Sequence, residues 1–228
     1  MSKIKALSFD MYRTLLDTRD FHEQAVDAIL TSAGADSVDR DVFHSRWDEL
    51  YEDVHIEMGQ DRFIRERDVS VESLRRVLRE FEIDADPVAG TNLWLDQYEK
   101  AGLFSEVEEV LNILAERYPM IVTSNVDNDD QGYAAFRTKN LPFVGIITSE
   151  DCRSYKPHGK IFKAALSVLK CQPAEVLHIG DSQRSDVVGA KKAGMVAVWL
   201  NRKAEKLKPG VEPDYEITNL RELLNLDI

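Results

Sequence analysis

From Ser105 to the end of the chain, short apolar runs alternate with stretches of helical periodicity. The runs fall at residues 120–123, 144–148, 175–179 and 196–200, with a weaker one at 215–218. The helical stretches fall at 105–118, 129–139, 159–169 and 185–193, and one more follows Asn219. Strands alternating with helices favour parallel neighbours, because a parallel return needs a crossover, usually a helix. The pattern therefore predicts an α/β fold with a doubly wound, mainly parallel sheet. Ser105-Glu106-Val107-Glu108 has the spacing of a capping box and is expected to open the first of these helices.

Residues 4–9 form one more apolar run, far ahead of the others. Between it and the alternating region, from about Asp20 to Gly102, strand signals vanish. Val42, Trp47, Leu50, Val54 and Met58 make one stripe at helical spacing; Val71, Leu74, Val77, Leu78 and Phe81 make a second; Leu93, Trp94, Tyr98 and Ala101 make a third. The expected organisation is a core from residues 1–16 and 103–228, with residues 17–102 inserted as an all-helical domain. The charged, proline-containing stretch 202–213 reads as a loose loop.

The chain has 228 residues, 43% of them hydrophobic, enough for a sizeable core. Its formal charge of −12 argues against nucleic acid, whose phosphates need a basic footprint. No run approaches the ~20 apolar residues of a membrane helix. Cys152 and Cys171 have no metal-ligand spacing and read as reduced thiols. The start, Met-Ser-Lys-Ile-Lys, leads into a strand rather than a long apolar segment, so a cytoplasmic protein is expected. A small anionic substrate is compatible with the acidic surface if a lysine, helix amino ends or a metal supplies local positive charge.

Four strand ends carry chemistry. The first run stops at Asp10, followed by Met11, Tyr12, Arg13 and Thr14. A carboxylate fixed at the carboxyl edge of such a sheet sits where ligands bind, and can serve as metal ligand, base or nucleophile. Thr14 can donate its hydroxyl to orient that carboxylate. The run 120–123 ends in Ser124-Asn125, which can hold a substrate oxygen or merely cap a helix. Lys156 stands before Pro157 in an extended segment. The run ending at Ile179 delivers Gly180-Asp181, and a short loop returns Asp186 towards the same edge. Two carboxylates this close raise each other's pKa unless a cation lies between them. Hard oxygen donors of this kind suit Mg²⁺. His178 reads as structural, and His22, His44 and His55 as scattered over the helical block and forming no metal set.

These four segments, in this order, resemble the haloacid dehalogenase (HAD)-like hydrolase superfamily, in its subclass with a helical cap inserted after the first motif. The resemblance implies a Rossmann-like core, an Asp10 nucleophile, a phosphoryl-holding Ser124 and a neutralising Lys156. It implies Mg²⁺ held by Asp10, the backbone carbonyl of Tyr12 and Asp181. Asp186 would bind through a water or orient Lys156. Tyr12, Arg13 and Asn125 would line the substrate. Phosphatases of this family carry a second aspartate where this chain has Tyr12, whereas tyrosine there is typical of the 2-haloacid dehalogenases. Those enzymes need no metal and have small polar residues in place of Asp181. Glycine is usual where Arg13 stands; its charge could enter the site or point to solvent. The leading expectation is a Mg²⁺-dependent phosphatase of small metabolites. The alternatives are a 2-haloacid dehalogenase and a weakly active or non-catalytic binding protein.

Overall fold

The computed structural model describes residues 3–58 and 62–228; the Met58 side chain and the first two residues lie outside this description. Strand β1 (Ala6–Phe9) is followed by helices α1 (Phe21–Ser32), α2 (Arg40–Met58), α3 (Glu66–Glu80) and α4 (Pro87–Leu95). Next come α5 (Val107–Ala115), β2 (Met120–Ser124), α6 (Gln131–Arg137), β3 (Gly145–Thr148), α7 (Ser149–Cys152) and α8 (Gly159–Leu169). The chain ends through β4 (Val176–Gly180), α9 (Gly189–Lys192), β5 (Val196–Leu200) and β6 (Tyr215–Ile217). It divides into two compact units: the chain up to Asp17 with Gly102–Asn125 and Lys139–Ile228, and Thr18–Ala101 with Val126–Thr138.

The first unit is built on a six-stranded sheet in the order β3-β2-β1-β4-β5-β6, with every pairing parallel. Every residue of β1, β2 and β4 is buried, as expected for near-continuous apolar strands covered on both faces. The chain winds outward from β1 through β2 to β3, then crosses back and winds the other way through β4 to β6. The crossovers diverge beside β1, which opens a crevice at its carboxyl end.

Two local expectations are corrected. Helix α5 begins at Val107, and no side-chain cap forms from Ser105–Glu108. Its first turn closes instead from the carbonyl of Phe104, which accepts the Val107 N–H at 3.0 Å, and Glu106 turns to Arg202 at 2.7 Å. Stretch 202–213 is tied down rather than loose. The Arg202 guanidinium sits 3.7 Å from the Phe104 ring centroid and donates to the Thr14 carbonyl. Gln183 brackets the same stretch, donating to Lys206 O and accepting from Lys208 N–H.

The second unit is helical. Its core joins Val26, Ile29, Leu30, Phe43, Trp47, Leu74, Val77 and Trp94. The sequence stripe was displaced by one position on α2: Val42 is 55% exposed, and Phe43, fully buried, takes its place. In Asp41-Val42-Phe43 only the larger side chain repeats with Trp47, Leu50 and Val54. Leu93 is exposed for the same reason, beside a buried Trp94.

Residues 126–138, expected in the core, make their contacts in this helical unit. The Asp127 carboxylate accepts the N–H groups of Glu66 and Arg67, the otherwise unsatisfied donors that open α3. Two of the three histidines converge, against the expectation of scattered rings and no metal set: ligand atoms of His22, His44 and Asp48 lie within 4.8 Å of one another, a group able to hold a metal ion. His22 Nδ1 lies 2.9 Å from Asp48 Oδ1, and His44 Nδ1 lies 3.8 Å from the other Asp48 oxygen. The His22 ring packs between Trp47 and Trp94. His55 Nε2 meets Glu66 at 2.9 Å.

Candidate active site

Asp10 follows β1 directly and is 8% exposed. Its backbone N–H donates to Ile179 O at 2.8 Å, so the residue is stitched to β4 as well as to its own strand. Lys156, from the segment before α8, buries its side chain and donates from Nζ to Asp10 Oδ1 at 2.5 Å and to Asp186 Oδ1 at 2.7 Å. Burial pushes the Asp10 carboxyl up, and the Lys156 ammonium offsets only part of that. Burial alone would lower the Lys156 pKa, but Asp10 and Asp186 raise it well above the ordinary lysine value.

Asn125 holds this lysine. Its Oδ1 accepts the Lys156 N–H at 2.8 Å and its Nδ2 donates to the Lys156 carbonyl at 3.2 Å. Both ends of the amide are thus spent on the lysine's backbone. Ser124 ends β2 and is buried, in register with Thr148 of β3.

Asp181 and Asp186 arrive from the end of β4. The connection is a wide, π-helical turn over Gln183–Val188, not the regular helix expected from residue 185. Asp186 has both oxygens occupied. Oδ1 accepts from Lys156 and faces His178 Nε2 at 3.1 Å; Oδ2 accepts the Ser182 N–H at 3.0 Å. Burial would raise its carboxyl, but Lys156 and His178 outweigh that and hold it at about 2. Its side chain lies flat on Gly180, where an added Cβ would sit 2.2 Å from Asp186 Cγ.

Asp181 is half-buried, and its backbone carbonyl accepts the Trp199 indole N–H at 2.9 Å. Thr14 directs its hydroxyl to Asp181 at 3.5 Å, the outer limit of a hydrogen bond, rather than to Asp10 as expected. Burial, then the charges of Asp10 and Asp186, push the Asp181 carboxyl up to about 7, with Arg13 and Lys156 opposing. Arg13 therefore acts on the site's field. Its φ of 58° is the left-handed region that glycine enters without strain, which explains the glycine usual at that position. Tyr12 is half-buried and bridges to Leu16 within the same loop.

Oxygens of Asp10, Asp181 and Asp186 lie within 4.8 Å of one another. The buried Lys156 ammonium donates to two of these three carboxylates, Asp10 and Asp186, and the charge of Asp181 is disfavoured by its burial and by those two neighbours. This donor set fits a hard divalent cation such as Mg²⁺. Asp186 is the most heavily engaged of the three, accepting from Lys156 and the Ser182 N–H and facing His178.

Sequence reading passed over Ser8 and Thr123, beneath this site, and gave His178 only a structural role. Ser8, Thr123 and His178 are fully buried in strands that are otherwise apolar. Buried polar groups require partners, and that signal was available in the sequence.

Comparison with known proteins bears on the same residues. Over its whole length the chain is similar to (S)-2-haloacid dehalogenase of Pseudomonas sp. (strain YL), 24% identical over 99% of this chain and 95% of that protein. Over a shorter span it is similar to glyceraldehyde 3-phosphate phosphatase of Pyrococcus furiosus, 43% identical over 31% of each. The solved L-2-haloacid dehalogenase from Xanthobacter autotrophicus, with chloropropionic acid covalently bound, superposes with a TM-score of 0.75 at 20% identity, covering 97% of both chains. The sequence model of haloacid dehalogenase-like hydrolases matches residues 4–194, a span that begins just before β1 and ends after the Asp186 turn, taking in every side chain of the acidic site; the chain belongs to that family of hydrolases.

Proposed function

We propose that this hydrolase is a Mg²⁺-dependent phosphatase of small phosphorylated metabolites, with Asp10 as its nucleophile. The observation that carries this reading is the excess of carboxylate over ammonium at the site, with Asp181 pushed up to about 7 by burial and by its acidic neighbours. A substrate carboxylate would meet repulsion at Asp181, whereas a cation there relieves it.

Asp10, Asp181 and the Tyr12 carbonyl would hold Mg²⁺, and Asp186 would act through Lys156 or a water. Bound Mg²⁺ would supply positive charge against the phosphoryl oxygens. The Asp10 oxygen not taken by Lys156 attacks phosphorus; the bond to the leaving oxygen breaks, giving an aspartyl-phosphate and an alkoxide or phenolate that takes its proton from solvent. Lys156 neutralises the nucleophile's carboxylate and the charge that develops on the phosphoryl group, while Ser124 holds one of its oxygens. Water then cleaves the acyl phosphate, releasing inorganic phosphate and regenerating the Asp10 carboxylate. With Tyr12 in place of a second carboxylic acid, the family's usual proton donor is missing, a loss of ~10²–10⁴-fold for poor leaving groups. The favoured substrates are those whose leaving group is already acidic.

The test is phosphate release from an activated aryl phosphate and a panel of phosphorylated metabolites, with Mg²⁺ and with chelator. Mg²⁺-dependent release that disappears in Asp10→Asn is expected; none across the panel sinks the reading.

A second reading, 2-haloacid dehalogenase, is favoured by Tyr12 and by the full-length likeness to the Pseudomonas enzyme. In it Asp10 attacks carbon and displaces halide, forming an ester. It predicts chloride release from 2-chloropropionate that survives chelation.

A further inference from the structure

Beneath the reacting edge of the sheet, a continuous line of buried polar side chains crosses three strands. Thr123 Oγ1 on β2 lies 2.9 Å from Ser8 Oγ on β1. Ser8 Oγ lies 2.9 Å from His178 Nδ1 on β4. His178 Nε2 lies 3.1 Å from Asp186 Oδ1, which in turn takes Lys156 Nζ at 2.7 Å. Ser8 and His178 are register partners on adjacent strands, so the β1–β4 pairing itself brings them together. The Phe162 ring stands edge-on to the imidazole at 5.1 Å and closes off its face.

The direction of this line follows from what each group can donate. Asp186 is paired to an ammonium and accepts only, so the nitrogen facing it must carry the proton. In a neutral ring the other nitrogen then has a lone pair, which the Ser8 hydroxyl fills. Ser8 Oγ is left to accept from the Thr123 hydroxyl. Every donor in the line has one acceptor, and the ring has one tautomer that fits.

We propose that His178 is a positioning residue: the Ser8–Thr123 hydroxyl pair locks it as the Nε2–H tautomer, and its N–H fixes the Asp186 carboxylate that aims Lys156 at Asp10. Gly180 completes the device from the other side, since Asp186 lies against its Cα where any side chain would displace it. Reading His178 as a merely structural residue of the strand leaves unexplained why its two nitrogens meet a hydroxyl and a carboxylate instead of an apolar core. The same arrangement, a partner fixing ring orientation and tautomer, recurs wherever an imidazole supports a reacting group.

The kinetic arm of the test rests on the proposed function; the spectroscopic arm does not. ¹⁵N NMR of the histidine side chains in the full-length, metal-free protein should show His178 with a protonated Nε2 and an unprotonated Nδ1. Ser8→Ala should move the Nδ1 resonance. An Nδ1-protonated ring would overturn the proposal whatever the enzyme hydrolyses. In turnover of an activated aryl phosphate or of 2-chloropropionate, His178→Leu should lower kcat by ~10–100-fold with KM nearly unchanged. His178→Gln, whose amide can still donate towards Asp186, should recover most of that loss. Wild-type kcat in a folded His178→Leu protein would overturn the proposal. If Asp10→Asn leaves turnover unchanged, it is the assignment of Asp10 that fails, and the NMR result alone then decides the role of His178.

Discussion

Lys156 sets its Nζ 2.5 Å from Asp10 Oδ1, so the nucleophile proposed at the end of β1 is neutralised by a residue 146 positions away in sequence. Removing that ammonium leaves Asp10 and Asp186 buried together without a counter-charge. Lys156→Met is expected to destabilise the protein by ~3–5 kcal/mol, the usual cost of breaking a buried pair, and to abolish turnover. Urea unfolding beside the turnover assay checks both.

Gly180 admits no side chain. A Cβ would stand 2.2 Å from Asp186 Cγ and 2.3 Å from its Oδ2. Gly180→Ala should therefore push Asp186 off Lys156 and cost ~1–3 kcal/mol of overpacking strain. Thermal unfolding measures the strain, and a crystal structure of the variant would reveal whether the Asp186–Lys156 contact is lost.

Trp199 reaches back from β5 to take the Asp181 carbonyl at 2.9 Å. Trp199→Phe keeps the ring and removes the donor. The expected loss is ~1 kcal/mol of stability, together with Mg²⁺ affinity weakened ~10-fold or more through the loosened carboxylate. Calorimetric titration with Mg²⁺ reads the second effect directly; unchanged affinity would separate Asp181 from the metal.

The helical unit carries a pH-dependent pair. Burial by itself would lower the His55 pKa, but Glu66 at 2.9 Å outweighs it and raises the folded value above the ordinary one. A histidine raised on folding stabilises fully below its unfolded pKa of about 6.5. That stability is lost as pH rises through the folded pKa. Wild-type Tm should fall relative to His55→Gln across this interval, and parallel Tm profiles would refute the assignment.

Strands were legible in the sequence because burial on both faces writes them as uninterrupted apolar runs, and the acidic residues at their ends follow from the same runs. Helix boundaries were less legible. Ser105–Glu108 has the letters of a capping box, yet Arg202, a distant residue, claims Glu106. Likewise the Thr123–Ser8–His178 line needs the register of three strands, which no local pattern contains. The convergence of His22 and His44 on Asp48 depends on how α1 packs against α2, again a tertiary fact. Sequence identified which residues could act; only packing determined which of them touch.

The pairing of β1 with β4 carries a consequence for how the molecule comes to exist. Ser8 and His178 are 170 positions apart, and the helical unit's core lies within that interval. Helical contacts close over short loops, while the β1–β4 contact must close nearly the longest loop in the chain. During synthesis Asp10 leaves the ribosome long before Lys156 and the β4 carboxylates. The carboxylate proposed as nucleophile thus waits unassembled until Lys156 and the β4 carboxylates have been made, and the acidic site forms only when those later segments dock.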